Sequence, residues 1–279
     1  MKNIVLAIVL FLSSYAFASD VSATDSKPFS LDMAFDVPTN YYFRGYRNQT
    51  TGVTVQPSAR FSYTVFDKND LTVKPYVGSW NDLNSDTSGT KNWKSWNESD
   101  VNAGVLLEYK VFTLDIGYNL YAYPSGAVKN SHGAMGSSTQ EFGFTLTFDD
   151  SDVSKALHLP FPLQPHLGFY HETSDHSDNS SDGYLELGVT PSFTLSEKLT
   201  LNVPVVFGNS TDHYYVSANG HSEFFGYGSI GVDLKYQINE QWFVHGGITY
   251  ANLFAKALRE ANGGGANVVT GIVGVGFSL

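Results

Sequence analysis

The feature that most constrains this chain is an alternation of period two that returns along its length after residue 30. In VTVQPSARFSYTVF, residues 53–66, Val53, Val55, Pro57, Ala59, Phe61, Tyr63 and Val65 fall on one side. Thr54, Gln56, Ser58, Arg60, Ser62 and Thr64 fall on the other. Successive side chains of a strand point to opposite faces, so such a segment has one apolar and one polar face. The same split recurs in 101–109, 112–122, 141–148 and 184–193. The pattern predicts about twelve strands, near 30–46, 53–66, 71–80, 101–110, 111–123, 141–149, 162–172, 184–194, 199–208, 223–236, 241–251 and 267–279.

Composition agrees with strands. Twenty phenylalanines, seventeen tyrosines and twenty-six glycines accompany only 15% charged residues. The aromatics favour pleated, half-buried surfaces, and the glycines are poor helix material. The lack of cysteine excludes a disulfide framework and a thiolate metal site. A net charge of −11 argues against a nucleic-acid partner, because phosphate binding needs a basic patch.

The first residues read as processing. Lys2 precedes an apolar run from Ile4 to Leu12, and Ala16-Phe17-Ala18 supplies small residues for a cut ahead of Ser19. This is the layout of a secretory signal peptide over 1–18. The run is short for a spanning helix, which needs about 20 apolar residues. The remainder, 19–279, then forms a single domain that is exported. It is either soluble or crosses a membrane with strands, since closed barrels are the one alternative to helices there.

The connections decide between these. One set is mostly tight: 67–70, 109–111, 196–198 and 239–241, with 150–161 as a long exception that accommodates a helical turn near 153–157. The other set is mostly long and polar: 81–100, 124–140, 173–183, 209–222 and 252–266, with 47–52 as a short exception. An even number of antiparallel strands with short turns at one end and longer loops at the other is the layout of an outer-membrane barrel. Aromatics near strand ends suit its interfacial girdles: Tyr109, Phe112, Phe148, Phe193, Tyr236 and Trp242 at the short-turn end, Phe142, Phe169, Phe207 and Tyr250 at the other. A soluble sandwich would also alternate, but the strand lengths and the two classes of loop favour an all-β, closed antiparallel transmembrane barrel of a Gram-negative bacterium. Its short turns would be periplasmic and its longer loops extracellular. Lipid would then touch the apolar faces.

Two stretches resemble known patterns. The end, VVTGIVGVGFSL, resembles the C-terminal targeting signal of bacterial outer-membrane proteins, with Gly274, Phe277 and Leu279 at the matching places. That likeness implies handling by the barrel assembly machinery. Ile272 stands where a polar residue is often found, and leucine replaces the commoner terminal phenylalanine. The block Tyr42, Phe43, Arg44, Gly45 in TNYYFRGYRNQTTGVTVQPSARFSY, residues 39–63, followed by a second strand with Gln56, resembles the start of the TorF family of proteobacterial outer-membrane porins. The resemblance covers about 30 residues of the chain and implies a porin-like role.

Strand parity turns Asp36, Arg44, Arg60, Glu108, Asp115, Glu141 and Glu186 toward the interior, as candidates to line a lumen. Asp32, Lys74, His166, Asp233 and His245 share that parity. Such residues either line an aqueous path, where charge sets ion preference, or pair across a closed interior, because unpaired buried charge is costly. Arg44 and Arg60, on strands joined by a short loop, are expected to share one neighbourhood with Asp36.

The loop HETSDHSDNSSD, with His171, Glu172, Asp175, His176, Asp178 and Asp182, has metal-ligand residue types but no established metal spacing, and reads as a solvated acidic loop. His166 and His245 share parity with Ser58, Ser62 and Ser229, yet no spacing picks out a nucleophilic triad. No phosphate-cradling glycine loop is present, and LFAKALREA, residues 253–261, suits a short helix that folds inward or caps the rim. The expectation is a narrow porin or channel for passive diffusion of small solutes or ions, with no catalytic residues, cofactor or metal. The competing expectations are a lipid-modifying barrel enzyme, such as a phospholipase or lipid A deacylase, and a structural or adhesive barrel.

Overall fold

The computed structural model describes residues 28–88, 95–125, 138–173 and 182–279, with a two-residue ladder between Ala7–Ile8 and Ser19–Asp20. Most of the signal segment therefore lies outside the described residues. Twelve antiparallel strands form one closed barrel. They are β1 Phe29–Pro38, β2 Thr54–Tyr63 continued by Phe66–Lys68, β3 Leu71–Asn84, β4 Trp96–Tyr109, β5 Phe112–Ala122 and β6 Ser138–Phe148. Then come β7 His166–Glu172, β8 Asp182–Val189 with Ser192–Ser196, β9 Leu199–Asn202 with Val205–Asp212, β10 Phe225–Gln237, β11 Trp242–Leu253 and β12 Asn267–Ser278. β8 and β9 are interrupted near Pro191 and Pro204, which cannot donate to a ladder.

Each strand pairs with its sequence neighbours, and β12 closes the sheet on β1, with Gly274 opposite Asp36 and Phe277 opposite Met33. Closure removes the edges that an open sheet of this size would expose. The alternating faces fall as their parity requires. Met33, Phe35, Val77, Val101, Ile248 and Val273 are exposed on the outside, the last two by 63% and 61%. Along β12 the outward apolar row runs from Val269 to Phe277. At about 3.3 Å per residue and a tilt of about 40°, it stands about 20 Å tall, close to the apolar band of membrane barrels. Tyr109, Phe112, Tyr236 and Trp242 mark its short-turn border, and Phe142, Phe207 and Tyr250 its other border, all exposed. Among the described residues no helix is long and apolar enough to cross a membrane.

The two classes of connection are present. At one end Asn69 and Asp70, with φ of 56° and 63°, turn β2 into β3, and Lys110, φ 54°, helps turn β4 into β5. The helical turn expected in the long exception there is α1, Ser151–Ala156. The other end carries the long loops, and α2, Lys256–Ala261, occupies the last of them.

One expected strand is divided. The alternation of 30–46 is not one strand: β1 stops at Pro38, and Tyr41–Phe43 pairs with Tyr46–Gln49 as a separate hairpin. The connection between β1 and β2 is therefore a long loop like the others at its end, and the short exception at 47–52 disappears.

Candidate functional site

The hairpin folds into the barrel from the long-loop end. Its turn is Arg44-Gly45, with φ of 45° and 90°, the two positive values of a type I′ turn. A side chain at Gly45 would also stand 2.5 Å from Leu258 of α2. Three elements grip the tip. Tyr215 donates its hydroxyl to the Arg44 carbonyl at 3.0 Å. Asn262 donates to the Gly45 carbonyl at 2.9 Å and accepts from the Arg47 amide at 3.0 Å. Tyr42 meets Tyr227 edge-on at 6.0 Å, and Tyr46 lies 6.0 Å from Tyr215. The hairpin, the 213–224 loop and α2 thus build a buried cluster with Tyr184, Val206, Tyr227, Leu253 and Val268 of the wall.

Arg44 sits at the centre. Its guanidinium donates to both oxygens of Glu141 on β6, at 2.5 and 3.1 Å. It lies 4.3 Å from the ring centres of both Tyr170 and Tyr184 and 4.7 Å from that of Phe43. Burial works against its charge, but Glu141 beside it holds its pKa well above the ordinary arginine value, so the cation persists. Glu141 also accepts from Tyr121 at 2.9 Å and from Asn119 at 3.3 Å. A bidentate fork inside an aromatic cage is a geometry that lysine would not reproduce.

The other expected interior residues are paired, though not as expected. Arg60 lies 3.6 Å from Asp115 and stacks 3.8 Å over Tyr76, whose hydroxyl donates to Asp115 at 2.7 Å. Asp36 instead meets His245 at 2.9 Å, and the other ring nitrogen of His245 lies 3.1 Å from Asp233. The expected neighbourhood of Arg44, Arg60 and Asp36 is therefore split into three ion pairs. The cause is the hairpin, which takes Arg44 off β1 and delivers it to β6. Glu108 pairs with Lys74 at 2.9 Å, and Glu186 accepts from Tyr184 at 2.7 Å and stands 3.6 Å from His166. Of the C-terminal residues, Gly274 lies beneath Asp36 and His245, and Phe277 packs edge-on to Trp242 at 5.1 Å. Leu279 exchanges two backbone bonds with Leu31.

Sequence parity missed one group of residues. β3 and β4 extend past their expected ends, so Asp82, Glu98 and Asp100 are wall residues, 0%, 2% and 4% exposed. The alternation of Asn102 and Glu108 does continue to Asp100 and Glu98 and could have revealed them. In the acidic loop, 174–181 lie outside the described residues, whereas Glu172 and Asp182 belong to β7 and β8 and are buried. Among the described residues no set of histidine and carboxylate side chains is placed to hold a metal ion.

Beneath the hairpin lies a cavity of about 110 Å³, lined by Tyr42, Arg44, Gln56, Glu186, Tyr227 and Thr270 among others. Its lining is more apolar than polar, with the Arg44, Gln56 and Glu186 side chains among the polar groups, and it has room for a few waters. Glycines on the inner wall make the space that the rings occupy: Tyr227 lies where a side chain at Gly208 would project, and Tyr170 does so at Gly143.

Residues 22–245 match a family described as a bacterial protein of unknown function, Gcw_chp, and the chain belongs to that family. The block 39–63 falls inside that span. No curated protein matches the sequence. Among solved structures, an outer membrane channel from Pseudomonas putida F1 aligns at 9% identity and a TM-score of 0.55, over 93% of this chain and all of that one. The NanC porin aligns at 14% identity with a TM-score of 0.46, over 89% and 100% of the two chains. The translocator domain of the autotransporter NalP from Neisseria meningitidis aligns at 12% identity and a TM-score of 0.41, over 91% and 89%. The fold is that of outer-membrane channels.

Proposed function

We propose that this member of the Gcw_chp family is a porin-like channel of the outer membrane through which small solutes or ions diffuse, narrowed at its outer end by the Arg44 hairpin. What carries this reading is the likeness of the closed twelve-strand barrel to an outer membrane channel from Pseudomonas putida F1, at a TM-score of 0.55, together with the cavity left beneath the hairpin. A polar interior accompanies it. Here the inside holds ion pairs from end to end, Arg60 with Asp115 and Lys74 with Glu108 toward the short turns and Arg44 with Glu141 toward the loops. Charged groups are tolerated at membrane depth where they are paired or face water. The Tyr42 to Gly45 block, on which the resemblance to TorF porins rests, is the hairpin itself. The C-terminal pattern and the signal-like N-terminus support delivery to the outer membrane through the barrel assembly machinery.

The channel reading is preferred to a lipid-modifying enzyme. Both ring nitrogens of His245 are engaged by carboxylates, so this histidine is not set to activate a serine. Planar-bilayer recording of the purified mature protein tests the proposal. Discrete current steps are expected, small in the native chain and larger when residues 41–49 are replaced by a short glycine-serine link. Electrical silence of both proteins, each shown to be folded by heat-modifiable gel mobility, would refute it.

A further inference from the structure

We infer that the connection between β6 and β7 is a lipid-binding foot: α1 and the residues after it lie on the periplasmic-leaflet phospholipids of the outer membrane, with Val153, Leu157 and Leu159 inserted among them. This goes beyond the channel reading and does not depend on conduction. The other turns at this end are tight, so a connection as long as 150–161 calls for a reason.

The three side chains are apolar and open: Val153 is 48% exposed, Leu157 66% and Leu159 40%. The helix sets their direction. Ser154 is buried and donates its hydroxyl to Asp150 at 2.8 Å, and Asp150 accepts from the amides of Leu163 and Gln164. These bonds fix the roll of α1. Val153 and Leu157, four residues apart, then share one flank. Asp152 and Lys155, with side chains 95% and 79% exposed, lie on another. The two open flanks of one short helix thus differ in chemistry, as they do where a helix lies along the boundary between hydrocarbon and water.

Both ends of the connection are held at the outer border of the wall. β6 ends at Phe148, whose ring centre is 5.4 Å from that of Phe112, an exposed aromatic of the short-turn girdle. The far end returns at Phe161, whose ring centre is 4.4 Å from that of Phe193. Phe193 is opposite Leu201, and Leu201 is opposite Leu234, so the three share one side of the sheet. Leu234 is open on the lipid-facing side. The connection therefore runs along the outside of the wall and not beneath the lumen. With six residues, α1 spans about 9 Å, too little to carry its apolar flank away from that border. The neighbouring turns add exposed Val111, whose carbonyl accepts from the Asp149 amide at 2.8 Å, and exposed Leu195. The apolar flank of α1 thus continues the band that faces lipid, and this continuity selects phospholipid as its occupant. An apolar surface left open to water would be a liability, whereas at a membrane border it is an anchor.

The chain has no cysteine, so a single nitroxide can be placed on either flank. Leu157→Cys and Lys155→Cys, each spin-labelled and shown to be folded by heat-modifiable mobility, are compared in vesicles of phosphatidylethanolamine and phosphatidylglycerol. The ratio of collisions with oxygen, which concentrates in hydrocarbon, to collisions with a water-soluble nickel chelate should be several-fold higher at 157 than at 155. Val153→Cys takes the place of Leu157→Cys if that variant does not fold. A label on the apolar flank as open to nickel as the one at 155 would put that flank in water and overturn the inference. A label there closed to both reagents, as against a second copy of the chain, would overturn it as well.

Discussion

Replacing Glu141 with glutamine tests the grip on the hairpin. The substitution keeps the shape of the site and its neutral contacts to Tyr121 and Asn119, and removes the charge facing Arg44. Breaking a buried ion pair by neutralising one partner costs about 3–5 kcal/mol, because the surviving charge stays desolvated. The amide oxygen still accepts one bond and the cage of Tyr170 and Tyr184 remains, so the lower bound of about 3 kcal/mol applies. That energy bears on docking of the hairpin, since the barrel ladders themselves do not involve residues 41–49. At 1.36 kcal/mol per tenfold, the undocked fraction rises about 100-fold. Trypsin reads it, because cleavage after Arg44 requires the tip, 9% exposed when docked, to leave the barrel. When opening and closing are fast, the cutting rate follows the open population. Glu141→Gln should therefore be cut after Arg44 about 100-fold faster than the native chain in the same detergent, with its heat-modifiable mobility intact. A control at exposed Glu197 should change nothing. Equal rates for Glu141→Gln and the native chain would show that the aromatic cluster alone holds the hairpin.

Two further outcomes follow from other parts of the fold. Val273, on the lipid-facing row of β12, is 61% exposed; Val273→Arg should lower unfolding stability in bilayers by about 2–4 kcal/mol, as lipid-facing arginine does near the midplane, and an unchanged stability there would contradict the membrane band. Asp150, at the start of α1, is opposed in its charge by burial, yet the amides of Leu163 and Gln164 and the Ser154 hydroxyl hold its pKa below the ordinary carboxylate value. A depressed folded pKa stabilises above the unfolded value near 3.8 and loses that contribution as pH falls through the folded one. Hydrogen exchange at Leu163 and Gln164 should therefore lose protection selectively in acid, once the rate is corrected for pH, and Asp150→Asn should abolish that acid dependence; a variant that keeps it refutes the assignment.

The period-two pattern carried the fold because membrane and lumen impose opposite demands on adjacent residues. Every barrel strand is visible in the sequence as a row such as Phe112, Leu114, Ile116 and Tyr118 against Thr113, Asp115 and Gly117. The site was less legible, for the same reason. Tyr41–Phe43 and Tyr46–Gln49 are strands too, and their alternation joins smoothly onto that of β1. Nothing in a period of two says which ladder a strand enters. The local signals were present: Pro38 has no amide hydrogen to give the β12 ladder, and Arg44-Gly45 is a two-residue turn with the glycine at its second central position. What sequence could not supply was the destination. Arg44 reaches Glu141 across 97 residues of chain, and Tyr215 and Asn262 reach the hairpin from two other loops. The same blindness cut β3 and β4 short. Apolar contrast vanishes where Asn81 and Ser99 face outward, because there the wall leaves the hydrocarbon and both faces become polar. Alternation is a signal generated by lipid. It fades at the rim, where Asp82, Glu98 and Asp100 are found: their inward parity continues, but the outward apolar row that makes such parity conspicuous has ended.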